Sequence, residues 1–126
     1  MKRALLLDTH VFLWWRTDDC RLLPAVREAI SLADIVFVSA ASAWEAHIKM
    51  ALGKLDMPEP FSSGVADSGF DELAISFSHV EAAAHLPPHH RDPFDRLLVA
   101  QARHEHLVFV SHDRALEPYG VPMLWT

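Results

Sequence analysis

Four acidic side chains stand where they could act together on one bound cation. Asp8 ends the apolar run "RALLLD", and Asp113 comes three residues after Val110, which closes the apolar run "LVFV". Glu45 lies early in "SAWEAHIKMALG", and Asp95 lies early in "PFDRLLVAQARHEH". Clustered carboxylates suit Mg²⁺ or Mn²⁺, hard cations that take oxygen ligands. The four acids are therefore candidates for a divalent-metal site.

Three of these acids also have a purely structural explanation. Asp8 and Asp113 both precede helical segments, and an aspartate N-cap is worth roughly 1 kcal/mol over alanine. Glu45 lies four residues before Lys49, the orientation of an exposed ion pair worth only about 0.2 to 0.5 kcal/mol. On a helical wheel, however, Glu45 lies beside Leu52 at the margin of an apolar stripe. Its carboxylate should therefore lean toward the rim of the core.

Asp95 is harder to explain by structure alone. Asp92, Pro93 and Asp95 fit the N-cap, N1 and N3 positions of a helix, where both carboxylates face the positive end of the helix dipole. At about 100° per residue, however, Asp95 falls between Val99 and Ala102, which should meet the sheet. Burying a carboxylate without a cationic partner is very costly. A cation shared with the other acids is the more economical interpretation.

Strands and helices should alternate along the chain. The predicted strands are "RALLLD", "DIVFVSA", "FDELAIS", "LVFVS" and "PMLW", and the predicted helices are "THVFLWWR", "LPAVREAISLAD", "SAWEAHIKMALG", "SHVEAAAHL" and "PFDRLLVAQARHEH". "RALEPYG" should form a short helix or turn, and "KLDMPEPFSSGVADSG" a loop with a weak helix. This alternation predicts an open, mostly parallel α/β sheet covered on both faces. In such sheets, ligands bind outside the carboxyl ends of the strands.

Finer expectations come from the same patterns. Ser78 is the expected N-cap of "SHVEAAAHL", and Gly53 should end the helix in "SAWEAHIKMALG". One face of that helix should be apolar and consists of Trp44, Ile48, Ala51 and Leu52. Most of the large aromatic side chains in the set Phe12, Trp14, Trp15 and Trp44 should belong to the core.

Length, charge and cysteine content restrict the class of protein. A chain of 126 residues fits one domain spanning 1–126. A net charge of -6 argues against a protein that coats nucleic acid, unless bound metal inverts the local field. The apolar run before Asp8 is too short for a secretory signal, and the longest uncharged apolar stretch is about half of a membrane span. The single cysteine, Cys20, fits a reducing cytoplasm.

Four segments, in this order and spacing, resemble PIN-domain ribonucleases and more narrowly the VapC toxins of type II toxin-antitoxin pairs. The segments are "LLLDTHVFLWW", "VSAASAWEAHIKMALGKL", "HRDPFDRLLVAQA" and "LVFVSHDRALEPYGVPMLW". The resemblance implies a three-layer α/β/α sandwich around a mostly parallel open sheet. It also implies an endoribonuclease dependent on Mg²⁺ or Mn²⁺, with an RNA substrate, an inhibitory antitoxin partner and a homodimeric state.

The resemblance also assigns roles to particular residues. The implied catalytic set is Asp8, Glu45, Asp95 and Asp113, with Asp8, Asp95 and Asp113 as metal ligands and Glu45 as the outer-sphere member. The implied polar supports are Thr9, Ser39 and Ser111. Cations available to RNA are Lys49, Lys54, Arg91, Arg96 and Arg114, of which Arg96 and Arg114 are candidate phosphate contacts. His10 departs from the wider family, which often has asparagine there.

Three other interpretations remain open at this point. The domain could be a protein-interaction module whose acids merely cap helices. It could be a phosphatase that forms an aspartyl-phosphate, although His10 occupies the place where a second acid would be needed. Nine histidines could indicate a zinc site, although the chain has no HExxH motif and its histidine pairs fall in a loop and at a helix end. Calorimetry with Mg²⁺ or Mn²⁺ would separate a nuclease from a pure interaction module.

Overall fold

Strands and helices alternate along the chain in the computed structural model, which describes residues 3–126. The strands are β1 (Ala4–Leu7), β2 (Ile35–Ser39), β3 (Asp71–Leu73), β4 (Val108–Ser111) and β5 (Met123–Trp125). The helices are α1 (Thr9–Thr17), α2 (Pro24–Leu32), α3 (Ala40–Ala51), α4 (Phe61–Asp67), α5 (Phe77–Ala84) and α6 (Pro93–His104), and a 3-10 helix spans Arg114–Tyr119. All strand pairs are parallel. The predicted α/β class is therefore confirmed.

Strand β1 lies at the centre of the sheet because its leucines can be buried on both faces. Leu5 and Leu7 belong to a hydrophobic cluster with side chains of α1, α2 and α4. Leu6 points the other way, into a cluster with side chains of α6 and the 3-10 helix. Successive residues of a strand face opposite sides of a sheet, so a run of three buried leucines needs a helical layer on each side. The result is a three-layer α/β/α arrangement.

The strand order β3-β2-β1-β4-β5 places a crevice beside β1. β1 pairs with β2 on one side and with β4 on the other, with Leu7 opposite both Val38 and Val110. The chain runs from β1 through β2 to β3 on one side and then crosses over to β4 on the other side of β1, so the strand order reverses there, which is where open α/β sheets bind ligands. Within residues 3–126, no helix is long and apolar enough to cross a membrane.

Helix α3 does not bury the face expected from its apolar pattern. Trp44 and Leu52 are 64% and 63% exposed, whereas Glu45 is only 3% exposed. The side chains that α3 buries are Ala41, Ser42, Glu45 and Ala46. Because α3 follows the carboxyl end of β2 and contacts α1 and α6, its position in the sheet decides which face is covered. Trp44 therefore does not belong to the core, although Gly53 follows the end of the helix with φ of 72°, as expected.

Helix α5 begins two residues earlier than predicted. Its N-cap is Ser76 rather than Ser78, and the Ser76 hydroxyl accepts a hydrogen bond from the backbone N–H of His79. The His79 ring in turn accepts one from the Ser76 N–H through Nδ1, at 3.1 Å. This reciprocal pair has the form of a capping box with histidine in the place of the usual glutamate or glutamine. The substitution hides the motif from a search for the usual residues.

Candidate active site

The four predicted acids line one cavity at the carboxyl edge of the sheet. Asp8 follows β1 directly, Asp113 lies two residues beyond β4, Glu45 lies on α3, and Asp95 lies in the first turn of α6. The cavity measures about 210 Å³. Its lining consists of Asp8, His10, Glu45, Lys49, His90, Asp92, Asp95, His112 and Asp113. Tertiary structure thus brings five carboxylates to one small volume.

Asp8 is almost fully buried, and hydrogen bonds to both of its carboxylate oxygens hold it in place. One carboxylate oxygen, Oδ1, accepts the backbone N–H of Val11 at 2.8 Å and so caps α1. The other, Oδ2, accepts the Ser111 hydroxyl at 2.6 Å. The His112 Nδ1 atom lies 3.7 Å from Oδ2. Capping and a role in the cavity are therefore compatible, because they use different oxygens of the same carboxylate.

Glu45 is fixed through both of its oxygens. Oε1 accepts the Thr9 hydroxyl at 2.5 Å, and Oε2 accepts an N–H of the Lys49 ammonium at 2.8 Å. Lys49 lies one turn further along α3, so the expected ion pair exists, but its acid partner is buried rather than exposed. The ion pair with the Lys49 ammonium distinguishes Glu45 from the three aspartates and makes it less available as a direct metal ligand.

Asp95 carries the most unusual acidity in the cavity. Desolvation, together with the nearby charges of Asp92, Asp8 and Glu45 and against a lowering by His90, raises the pKa of Asp95 to about 7. Like charges around a half-desolvated carboxyl disfavour its ionised form. A divalent cation beside these oxygens would reverse that balance, since it favours the ionised form. The cavity therefore has the electrostatics of a cation site.

Asp113 has the opposite electrostatics. Burial by itself would raise the pKa of Asp113, but a hydrogen bond from His90 and one from the Ala115 backbone N–H leave it below its usual value. The Asp113 Oδ1 atom accepts the Ala115 N–H at 3.0 Å and caps the 3-10 helix. Its Oδ2 atom lies 2.7 Å from His90 Nε2. Asp113 is therefore ionised and held in place by its neighbours.

His90 is the functional candidate that the sequence did not reveal. Its Nδ1 accepts the backbone N–H of Asp92 at 3.0 Å, so the proton of the neutral ring lies on Nε2 and is donated to Asp113. The same Nε2 lies 3.6 Å from Asp95 Oδ2. The only local signal was the string "HHRD" immediately before the acidic helix, and histidines in a loop were expected to be solvated. His90 is instead a partner of two predicted metal ligands.

Two further histidines, His10 and His112, line the cavity and lie against Trp14. His10 and His112 have ring centroids 5.6 Å apart, and His112 lies 5.0 Å from the Trp14 ring. The nearby Asp8 carboxylate raises the pKa of His112, whereas burial and the Lys49 charge lower that of His10. His10, whose type departs from the wider family, thus lies within the cavity wall.

The predicted supporting residues divide into two groups. Thr9 and Ser111 donate to cavity carboxylates, as described above. Ser39 lies elsewhere, where its hydroxyl donates to Gln101 Oε1 at 2.5 Å and caps α3. Arg96 and Arg114 are also absent from the cavity lining among the described residues. The Arg96 guanidinium donates to backbone carbonyls, including those of Ala83 and Leu86, and the Arg114 guanidinium lies 4.5 Å from the centre of the Trp125 ring.

The ligand atoms in the cavity fit a hard divalent cation. Asp8, Asp95 and Asp113 supply carboxylate oxygens, the ligands that Mg²⁺ and Mn²⁺ prefer. Ligand atoms of His90, Asp95 and Asp113 lie within 4.8 Å of one another, and Asp8 lines the same cavity outside that tight group. Glu45 remains suited to the outer shell because the Lys49 ammonium is ion-paired with one of its oxygens.

A second histidine-carboxylate cluster bears on the zinc interpretation. Ligand atoms of His79, His104 and Glu105 also lie within 4.8 Å of one another. His79 Nδ1, however, accepts the Ser76 backbone N–H, so Nε2 carries the proton and donates it to Glu105 at 2.9 Å. Neither ring nitrogen of His79 then offers a free lone pair to a metal. We interpret this cluster as a structural contact that joins α5 to the end of α6.

Comparison with known proteins agrees with this geometry. The PIN domain family model matches residues 5–121. Ribonuclease VapC22 of Mycobacterium tuberculosis is 33% identical, in an alignment that covers 94% of this chain and 94% of that protein. This relationship agrees with the resemblance first indicated by the four sequence segments.

Solved structures provide a comparison of the fold alone. One is VapBC2 from Rickettsia felis bound to a promoter DNA fragment, with a TM-score of 0.70 at 11% identity, covering 96% of this chain and 97% of that one. Another is a toxin-antitoxin complex from Klebsiella pneumoniae, with a TM-score of 0.67 at 15% identity, covering 95% of each chain. Together with the family match and the acidic cavity, these findings show that the chain belongs to the PIN domain family, as a relative of the VapC ribonucleases.

Proposed function

We propose that the protein is a metal-dependent endoribonuclease toxin that hydrolyses RNA phosphodiesters in the cytoplasm. The observation that carries the proposal is the convergence of Asp8, Asp95 and Asp113 on one cavity, where burial and the neighbouring carboxylates raise the pKa of Asp95 to about 7. A relative with 33% identity is named as a ribonuclease, which supports the same reaction class.

Asp8, Asp95 and Asp113 are the proposed ligands of Mg²⁺ or Mn²⁺. Bound there, a divalent cation would orient the phosphate, lower the pKa of the attacking water and offset charge on the leaving oxygen. No side-chain nucleophile is required for that chemistry.

The chain's own residues prepare the cavity for this reaction. Ser111 and the Val11 N–H hold Asp8 in one orientation, and His90 holds Asp113. Thr9 and Lys49 fix Glu45, which keeps a buried negative charge next to the aspartates. Because all these contacts exist before substrate arrives, little reorganisation is needed when the phosphate enters.

The decisive experiment is RNA cleavage by the purified protein. We expect cleavage in Mg²⁺ or Mn²⁺ and none after treatment with EDTA, and sequencing of the 5′ ends of the fragments would identify the preferred site. Calorimetry with the same cations should show stoichiometric uptake. A protein that takes up no metal and leaves RNA intact would instead support the interaction-module alternative, in which the acids only cap helices.

The antitoxin partner forms a further part of the proposal. The structural neighbours include proteins solved as toxin-antitoxin complexes. Here a second pocket of about 270 Å³ lies between α1 and residues 54–59, and it shares His10 with the acidic cavity. An antitoxin segment in this pocket could pass a basic side chain to the acids. A co-expressed antitoxin from a neighbouring gene should form a stable complex and abolish RNA cleavage.

Self-association completes the proposal. Phe77, Val80 and Ile75 are 87%, 49% and 40% exposed at the start of α5, and a homodimer contact would explain this apolar patch. Light scattering should give the mass of a dimer for the wild-type protein and the mass of a monomer for Phe77→Glu. An unchanged mass for this variant would place the contact elsewhere.

A further inference from the structure

Lys49 is unusual among the side chains around the acidic cavity. The nine lining residues, all in the described part of the chain, comprise five carboxylates, three histidines and this one lysine. Lys49 lies on α3 one turn beyond Glu45, and about a third of its side chain is exposed. Such a cation could only neutralise the neighbouring Glu45, or it could also bind the phosphate of the substrate.

Contacts around Glu45 hold the ammonium at a defined position. Lys49 Nζ donates one hydrogen bond to Glu45 Oε2 at 2.8 Å, and Glu45 is itself anchored by Thr9. An ammonium has three donors, so two N–H groups remain beyond the bond to Glu45. The Lys49 charge also acts on His10, another lining residue, whose pKa is lowered by burial and by this charge.

An RNA phosphodiester needs a cation at this place. The phosphate carries a negative charge into a cavity that already holds five carboxylates, and charge on its oxygens is redistributed as the reaction proceeds. Lysine is a compact point charge that commonly binds phosphate. A lysine anchored to a buried glutamate can remain near the acids without being drawn onto the metal ligands.

We propose that Lys49 is a catalytic residue that donates an N–H hydrogen bond to a non-bridging oxygen of the phosphodiester that is cleaved. This inference rests on the proposed nuclease function. Glu45 then acts mainly as the anchor that positions the ammonium, which gives a physical reason for a buried acid whose two oxygens are both occupied.

The competing explanation is that Lys49 only neutralises Glu45. The two roles predict different metal affinities for a variant that lacks the charge of Lys49. If Lys49 serves the phosphate, its loss removes a positive charge beside the cation site, so Mg²⁺ binding stays equal or becomes tighter. If Lys49 only supports the acids, its loss disorders them, so Mg²⁺ binding weakens together with cleavage.

The test compares Lys49→Met and Lys49→Arg with Arg103→Met, a control that removes an exposed cation from the last turn of α6. We expect Lys49→Met to lower kcat/KM for RNA cleavage by about 100-fold, the effect of losing one donor to a reacting oxygen. Lys49→Arg should recover at least about tenfold of that loss, and the control should stay within about threefold. Calorimetry should show Mg²⁺ affinity unchanged or increased in Lys49→Met.

Binding of intact RNA provides a second measurement. In a cleavage-blocked Asp8→Asn background, Lys49→Met should reduce the slope of log Kd against log salt concentration by about one, because one phosphate contact is lost. Thermal melting verifies that each variant is folded, and Lys49→Arg keeps the charge if Lys49→Met melts early. A Lys49→Met protein that cleaves within about threefold of wild type, or that loses Mg²⁺ affinity in parallel with cleavage, would overturn the inference. A wild-type protein that cleaves no RNA would overturn the proposed function itself.

Discussion

Two histidine-carboxylate pairs in this protein share the same local geometry but differ in their surroundings. His90 lies 2.7 Å from Asp113, and His79 lies 2.9 Å from Glu105. In both rings Nδ1 accepts a backbone N–H, so Nε2 carries the donated proton. The difference is that the first pair shares its cavity with four further carboxylates, whereas the second packs against a buried glutamine, Gln101.

The comparison teaches that the pair itself does not mark a functional site. Around His79, each polar atom has a partner within the fold, and the contacts join α5 to α6. Around His90, acids outnumber the cations that face them, and burial together with these like charges raises the pKa of Asp95 to about 7. An excess of like charge that the fold does not neutralise is the feature that indicates a ligand. The predictions below test this distinction.

The largest expected effect is the loss of RNA cleavage in Asp8→Asn. The substitution keeps the shape of the side chain but removes the charge of a proposed metal ligand, so we expect cleavage to fall by at least about 1,000-fold, as for loss of a group that acts in the transition state. Glu105→Gln, the matched change in the His79 cluster, should leave cleavage within about threefold. Equal activity of wild type and Asp8→Asn in a clean preparation would refute the metal-ligand role of Asp8.

Replacing His90 should lower activity, whereas replacing His79 should lower stability. His90→Ala removes the donor that orients Asp113, so we expect metal affinity and cleavage to fall by about 10- to 100-fold. His79→Ala removes a buried ring and its capping box, so we expect a loss of about 2 to 4 kcal/mol in the free energy of unfolding. Urea denaturation and cleavage assays on both variants measure the two effects.

The two histidine variants serve as controls for each other. His79→Ala should cleave RNA at a rate per folded molecule close to that of wild type, and His90→Ala should melt close to wild type. If the histidine in the core affected cleavage more than the histidine in the cavity, the proposed division between structural and functional pairs would be wrong.

Asp95→Asn should stabilise the metal-free protein while it removes activity. Because the pKa of Asp95 is raised from 3.8 to about 7, the folded state holds a proton that the unfolded chain releases, and stability is lost as pH rises between these values. Above pH 7, asparagine avoids that loss, and we expect a gain of about 1 to 2 kcal/mol, or several degrees in Tm. Thermal melting of wild type and Asp95→Asn in EDTA at pH 8 measures this gain in stability.

Exposed Asp56, changed to asparagine, is the control for the effect of removing a charge. We expect little change in its Tm, because its carboxyl is exposed and the pocket that it lines also holds cations, which are Arg16, Arg21 and Lys54. A lower Tm for Asp95→Asn than for wild type at pH 8 would mean that the crowded acids do not destabilise the metal-free fold.

The smallest expected effect is the pH dependence of metal binding. Asp95 must be ionised to bind a cation, and with a pKa of about 7 its ionised fraction rises about tenfold between pH 6 and pH 8. The raised pKa of His112 acts in the same direction, since its positive form lies beside Asp8. Calorimetry should therefore show Mg²⁺ affinity about tenfold higher at pH 8 than at pH 6. A flat profile would indicate that neither group titrates in this range.

The positions of Asp8 and Asp113 could be predicted because they depend on short stretches of chain. Each acid closely follows an apolar run that only a buried strand would explain, and parallel strands bring their carboxyl ends to one edge. Asp95 could be predicted for a similar reason, since helical periodicity placed it on the side of α6 that faces the sheet. The helical pattern also made Glu45 a candidate, and the family resemblance added its outer-sphere role and the reaction class.

Other features could not be predicted because they depend on which elements pack together. The apolar stripe of α3 indicated a buried Trp44, but α1 and α6 cover the opposite side, where Glu45 lies. Ser39 was predicted as a polar support and Arg96 as a phosphate contact, and the fold directs both toward other partners. Their roles remain predictions that the geometry of the cavity does not favour.

The sequence by itself determined the strand-helix alternation and the places where acids leave the strands, because periodicity and strand ends are properties of neighbouring residues. Only the tertiary structure decided that His90 contacts Asp113 across 23 residues and that Thr9 contacts Glu45 across 36. Such contacts depend on the crossing of helices over the sheet, and they set the burial and mutual repulsion of the acids. The physical reason is that charge interactions depend on distance in space, which a linear chain of residues does not specify.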